Sequence, residues 1–353
     1  MATRRGFLSG LLAAGLTPLP GWADAGAPAF LSAAQMPDGS YMLVGLDGAG
    51  AIRFRQPLPE RGHAAAAHPL RPEAVAFARR PGRFALVIDC AGGALKATLD
   101  APEGRHFYGH GAFSPDGALL FTTENDYAAA RGVIGVWDVA SGYTRIDEFD
   151  SGGTGPHEMR LMPDGETLVI ANGGIETHPD AGREKLNIPF MKPNLAYAGL
   201  DGRLAEVVEL PPALNKNSIR HLALSGDGLV GFAMQWQGDT RDAPAVLGLH
   251  RRGSAPRLLQ GGDHARLEGY AGSVAMTPDG AQVAISSPRG GLVQVFDTSS
   301  GALLREVGMA DVCGLACDGG GFLVTSGLGR VGRLGEAGTQ QDLRFDNHLV
   351  PVG

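Results

Sequence analysis

One turn recurs along this chain. Pro37-Asp38-Gly39, Pro115-Asp116-Gly117, Pro163-Asp164-Gly165 and Pro278-Asp279-Gly280 each close one short apolar run and open another. Pro81-Gly82, Gly226-Asp227-Gly228 and Asp318-Gly319-Gly320 occupy the same setting. Proline presets φ, aspartate bonds the backbone beyond it, and glycine accepts a positive φ, so each site predicts a tight link between two strands. The turn glycines are spaced 35 to 63 residues apart, which is a repeat rather than a scatter of loops. Several units continue into two more strands. Gly132 to Val139 followed by Tyr143 to Ile146 is one example, and Gly291 to Asp297 with its Ser300-Gly301 turn copies it.

Seven units of four strands predict an all-β fold, a seven-bladed β-propeller, which manages its sheet edges by radial packing around a channel. Two β-sandwiches are the alternative, but a sandwich has no need of the same turn seven times. The composition agrees: 54 Gly and 23 Pro with only 7% aromatics suit many short strands and tight turns. The net charge of -7 comes without long acidic or basic runs, so neither nucleic acid nor an anionic membrane surface is an expected partner.

The first 25 residues read as a targeting segment. Thr3-Arg4-Arg5-Gly6-Phe7-Leu8 is a twin-arginine pattern, an apolar run to about Leu16 follows, and Ala23-Asp24-Ala25 offers the small residues of a cleavage site. The expected organisation is a twin-arginine signal peptide over 1–25 and the propeller over 26–353, exported folded to the periplasm. No other apolar run is long enough to span a bilayer. The three cysteines, Cys90, Cys313 and Cys317, are an odd number. On an extended strand Cys313 and Cys317 would stand about 13 Å apart, too far to bridge.

In a propeller the innermost strand of each blade starts at the funnel face and turns at the opposite one. The repeated turns are therefore expected on a closed, structural face, with the funnel seven or eight residues before each turn glycine. That position holds Ser32, Val75, His110, His157, His221, Ser273 and Cys313. Ten histidines scattered at random would put fewer than one there, and three arrive. His110, His157 and His221 are thus candidate metal ligands, for Cu, Fe or Zn. Neutral imidazoles hydrogen-bonding to channel water or backbone, and an anionic organic ligand, are the other readings of the same pattern.

Arg105, His106, Glu158, Arg220 and Arg289 lie near the same mouth by this placement and are candidate contacts for a bound cofactor or anion. Arg105 fits an inter-blade salt bridge at least as well. A long polar connection, residues 171–187, includes His178 and is expected to form an ordered lid or a partner site. Gln235-Trp236-Gln237 offers an aromatic wall. No Gly-x-Ser-x-Gly elbow, His-Glu-x-x-His, P-loop or Cys-x-x-Cys-His motif is present.

Several segments carry a family resemblance. Gly104-Arg105-His106-Phe107-Tyr108-Gly109-His110-Gly111, Thr122 to Asp126, Gly155-Pro156-His157-Glu158, Asn172 to Pro179, Ser218-Ile219-Arg220-His221-Leu222 and Ser287 to Gly291 occur in this order. Together they resemble the bacterial family called domain of unknown function 1513, over nearly all of the chain beyond the leader. The resemblance implies an exported propeller, often encoded beside imelysin-type proteins and haem-containing oxidoreductases of iron uptake. Those proteins are the partners it implies. The first functional expectation is a periplasmic propeller that binds a metal or small anion in iron or copper handling. An enzyme of lactonase or metal-dependent oxidoreductase type, with His157 and Glu158 as acid and base, is the second, and an interaction scaffold built on the 171–187 loop is the third.

Overall fold

The computed structural model describes residues 20–79, 83–182, 184–319 and 321–352. The twin-arginine segment, Pro81-Gly82 and the glycine at 320 lie outside the described residues. Within them the fold is a seven-bladed β-propeller of four-stranded blades, with no α-helix and only short 3-10 turns. Successive blades touch along their innermost strands, and the last packs against the first to close the ring.

Each blade has one burial gradient. The second and third strands are almost wholly buried, as in Thr167–Asn172 and Asn194–Gly199 of blade 4, whereas the fourth, Leu204–Glu209, alternates between half-buried and exposed. Flat apolar side chains fill the space between blades. Tyr197, Phe232 and Phe296, each fully buried, belong to one cluster shared by blades 4, 5 and 6.

The repeated turns act through aspartate. Asp164 Oδ1 accepts from the backbone N–H of Glu166 and of Thr167, both at 2.9 Å, and Gly165 takes φ +72°. At Asp116 and Asp279 the hydroxyl of Ser114 or Thr277, and after it the backbone N–H two residues on, hold the carboxyl below its ordinary pKa.

Two of the seven turns join different strands from those expected. In blade 1 the innermost row is supplied by the far C-terminus: Arg344–Phe345 and Val350–Pro351 both pair with Phe30–Gln35. Pro37-Asp38-Gly39 therefore links the second strand to the third. In blade 2 the innermost strand is Gly62–Ala67, and Pro81-Gly82 falls between the second and third strands, Glu73–Ala78 and Ala85–Asp89. The true inner turn there is His68-Pro69-Leu70-Arg71-Pro72, where His68 Nδ1 accepts from the N–H of Leu70 and Arg71 at 3.1 and 3.0 Å. Histidine takes the role of aspartate, which hides this turn from a search for Pro-Asp-Gly.

The channel is open at both ends. On the face carrying the inner turns a cavity of about 280 Å³ is lined by Ala65, Ala66, Ala67, Gly111, Ala112 and Leu161, among others. The expected closed face is thus concave, because inner-strand residues this small leave the channel unfilled there.

Candidate metal centre

Midway along the channel five imidazoles meet. His63, His110, His157 and His221 come from the innermost strands of blades 2, 3, 4 and 5, and His348 from the C-terminal row of blade 1. Ring centroids of His63, His110 and His348 lie 4.6 to 5.0 Å apart. His157 stands 4.8 Å from His221, which in turn is 4.7 Å from His348.

The strands deliver these rings through irregularities. Pairing slips between Gly62 and Ala65, between Phe107 and Gly111, between Pro156 and Glu158, and between Ile219 and His221. Bulges add residues outside the ladder and re-aim side chains: His63, His110 and His157 are themselves outside the ladder, whereas in blade 5 the extra residue is Arg220 and His221, next to it, stays paired with Ala233. His348 lies between the two short C-terminal strands, and Ser32 Oγ donates to its carbonyl at 2.8 Å. Gly109 completes the arrangement with φ +100°; a Cβ there would lie 2.5 Å from His63 Cδ2.

Burial sets the protonation. The pKa values of His63, His110, His157 and His348 are held well below the ordinary imidazole value, mainly by removal from water, with neighbouring imidazoles or Arg220 adding in the same direction. His221 is brought down to about 3 by the same cause. Neutral rings carry the lone pairs a metal needs. His63 Nδ1, His110 Nε2, His157 Nδ1 and His348 Nε2 are buried with no hydrogen-bond partner among the described protein atoms. Orphaned buried polar atoms are rare and costly, and four in one cluster point to a ligand.

Two overlapping triads emerge. His63, His110 and His157 form one and His110, His221 and His348 the other, with one nitrogen per ring within 4.8 Å of the others. An equilateral triangle of that side puts its centre about 2.8 Å from each nitrogen, so an inward shift of about 0.7 Å reaches the ~2.1 Å of a Zn–N bond. Glu158 stands behind the second triad: His221 Nδ1 lies 3.1 Å from Glu158 Oε2, and Arg160 Nε donates to Glu158 Oε1 at 2.8 Å. A carboxylate on Nδ1 fixes the tautomer and leaves Nε2 for coordination.

The other candidates divide. Arg220 and His157 line a second cavity of about 280 Å³ on the opposite face, with Lys185, Arg79, Gln235 and Tyr270. Arg289 lies over the Tyr270 ring, 4.4 Å from its centroid. Away from the channel, Arg105 pairs with Glu148 and Glu124 of its own blade, an intra-blade rather than inter-blade bridge. His106 packs on Tyr108 and Tyr127, and His178 accepts from Asp180 N and packs edge-on to Tyr127. Cys313 donates to Asp311 O and belongs to neither triad. Trp236 donates to Asp239 O, so Tyr108 and Tyr270 are the aromatic residues lining this funnel.

Described residues of the long loop pack at the same mouth: Asn187 accepts from Glu176 N and donates to Gly174 O, while Ile175, Thr177 and Lys185 line the cavity. Sequence reading missed His63 and His348. His63 lies five residues before His68, the residue that replaces the turn aspartate, and His348 belongs to a row with no turn after it.

Residues 56–352 match the family described as Protein of unknown function (DUF1513), and the chain belongs to that family. No curated protein matches the chain. Among solved structures it is similar to hydrazine synthase of Kuenenia stuttgartiensis, with a TM-score of 0.59 and 16% identity over 90% of this chain and 95% of that one. A likeness at that identity is one of fold.

Proposed function

We propose that this member of the DUF1513 family binds a transition-metal ion, Cu, Zn or Fe, through the histidines of its channel. One observation carries the reading: four buried imidazoles and the half-buried His157 converge, and four of the five hold buried nitrogens without a protein partner among the described residues. Imidazole suits all three metals, and the absence of thiolate from both triads favours none of the sulfur-seeking sites. Glu158 supports it as the group that orients His221. The metal reading joins the leader pattern and the family resemblance in a wider proposal, a periplasmic protein of iron or copper handling working beside imelysin-type or haem-containing partners.

The test is metal analysis of the full chain purified from the periplasm, followed by calorimetric titration of chelator-treated protein with Cu, Zn and Fe(II). Binding of about one ion per chain, weakened at least tenfold in His110→Gln, is expected, since His110 serves both triads, and comparison of His348→Gln with His63→Gln tells which triad holds the ion. No bound metal, together with titrations indistinguishable between the wild type and His110→Gln, would sink the proposal.

A further inference from the structure

The funnel on the face opposite the inner turns has the wrong charge for a bare cation. Arg79, Lys185 and Arg220 line it, Arg289 sits beside it on Tyr270, and among the described residues no Asp or Glu lines it. The chain as a whole carries a net charge of -7, so this concentration of positive charge is local. The opposite cavity is different: Arg160 there bonds directly to Glu158.

The fold builds the feature from separate elements. Arg220 is the extra residue where the register of the blade 5 inner strand shifts between Ile219 and His221. Lys185 is carried in by the long loop and donates to Gln237 Oε1 at 2.5 Å. Arg79 is partly neutralised by Asp346, which Arg61 also binds; Arg220 and Lys185 line the funnel beside it, and Arg289 adjoins it on Tyr270. Desolvation, then Arg220 and Arg289, lower the pKa of Lys185, as expected where like charges crowd.

We infer that this funnel is a binding site for a small multivalent oxyanion, a dicarboxylate or a phosphate, held by Arg220 and Lys185 above His63 and His157. Guanidinium presents paired donors that match two oxygens at once, and ammonium adds a point charge from the loop side. Gln235, Asn347 and Tyr270 supply neutral groups around the same space, whose volume of about 280 Å³ admits a ligand of that size. Low-dielectric walls strengthen each contact relative to water.

The experiment uses the full chain after chelator treatment, so that it does not depend on the metal site. Malonate and inorganic phosphate are titrated separately by calorimetry at low ionic strength. At least one should bind with a dissociation constant below about 1 mM and lose roughly tenfold or more on raising salt toward 0.2 M. Arg220→Gln should weaken that binding at least tenfold, Lys185→Gln several-fold, and Arg160→Gln, in the other cavity, less than twofold. Whichever anion binds more tightly identifies the headgroup. The inference is overturned if neither binds at about 10 mM, or if Arg160→Gln weakens binding as much as Arg220→Gln. Lys185 sits on an exposed loop, so its variant carries the test should Arg220→Gln fail to fold.

Discussion

Replacing Gly109 by alanine tests whether the histidine cluster is packed as tightly as its geometry implies. Two costs arise. Gly109 has φ +100°, a conformation that L residues reach only with strain of about 1–3 kcal/mol. The new Cβ would also meet His63 Cδ2 at 2.5 Å and Cγ at 3.3 Å. The ring has little room to retreat, because His348 and His110 stand 4.6 and 5.0 Å from its centroid. Overpacking of this kind costs about 1–3 kcal/mol, so the total is about 2–6 kcal/mol. Gly142 separates the two costs: it has φ +75°, and a Cβ added there would meet nothing within 4 Å, so Gly142→Ala carries strain alone. His63→Ala removes the ring atoms and leaves a Cβ at an ordinary 3.4 Å. Urea unfolding of chelator-treated protein should therefore give a larger loss for Gly109→Ala than for Gly142→Ala, by about 1–3 kcal/mol. A double-mutant cycle should return that difference when His63→Ala is the background. If Gly109→Ala costs no more than Gly142→Ala, or if His63→Ala gives no relief, the close packing of the cluster is refuted.

Three further outcomes are expected. All five channel histidines have folded pKa values below the unfolded one, so the unfolded chain binds more protons; stability is complete above the ordinary imidazole value and falls as pH drops below it toward their folded values, by on the order of 1 kcal/mol per histidine for each pH unit. Urea melts of metal-free protein between pH 8 and 5 measure this, and a flat profile contradicts neutral burial. Glu158→Gln should lower affinity for the added metal about 10- to 100-fold while the channel histidines remain in place, read by competition with a chromophoric chelator. Cys90 and Cys313, whose thiols burial pushes up to about 12, should resist iodoacetamide in the native state while the half-buried Cys317 reacts first, as peptide mapping would show.

Much of this fold is local in origin. Pro163-Asp164-Gly165 and its Pro-Asp-Gly relatives make similar turns, since in each the aspartate accepts from the N–H two residues on and glycine takes the positive φ. Repetition of that chemistry, with apolar runs between, predicts hairpins and then blades, and the spacing alone puts His110, His157 and His221 at equivalent strand positions. It does not say which hairpin is innermost. In blade 2 the histidine at 68 stands where aspartate would, and the visible Pro81-Gly82 belongs one strand further out.

Tertiary structure decided the rest. Arg344 and Phe345 pair with Gln35 and Ala34 across nearly the whole length of the chain, and that closure alone brings His348 to the cluster. Bulges at His63, His110 and His157 and beside His221 turn the rings toward one another, and their offsets depend on partner strands rather than on neighbouring residues. Turn preference is a property of four adjacent residues and can be read from them. The meeting of five imidazoles depends on where the ring of blades closes, and no short stretch of sequence contains that information.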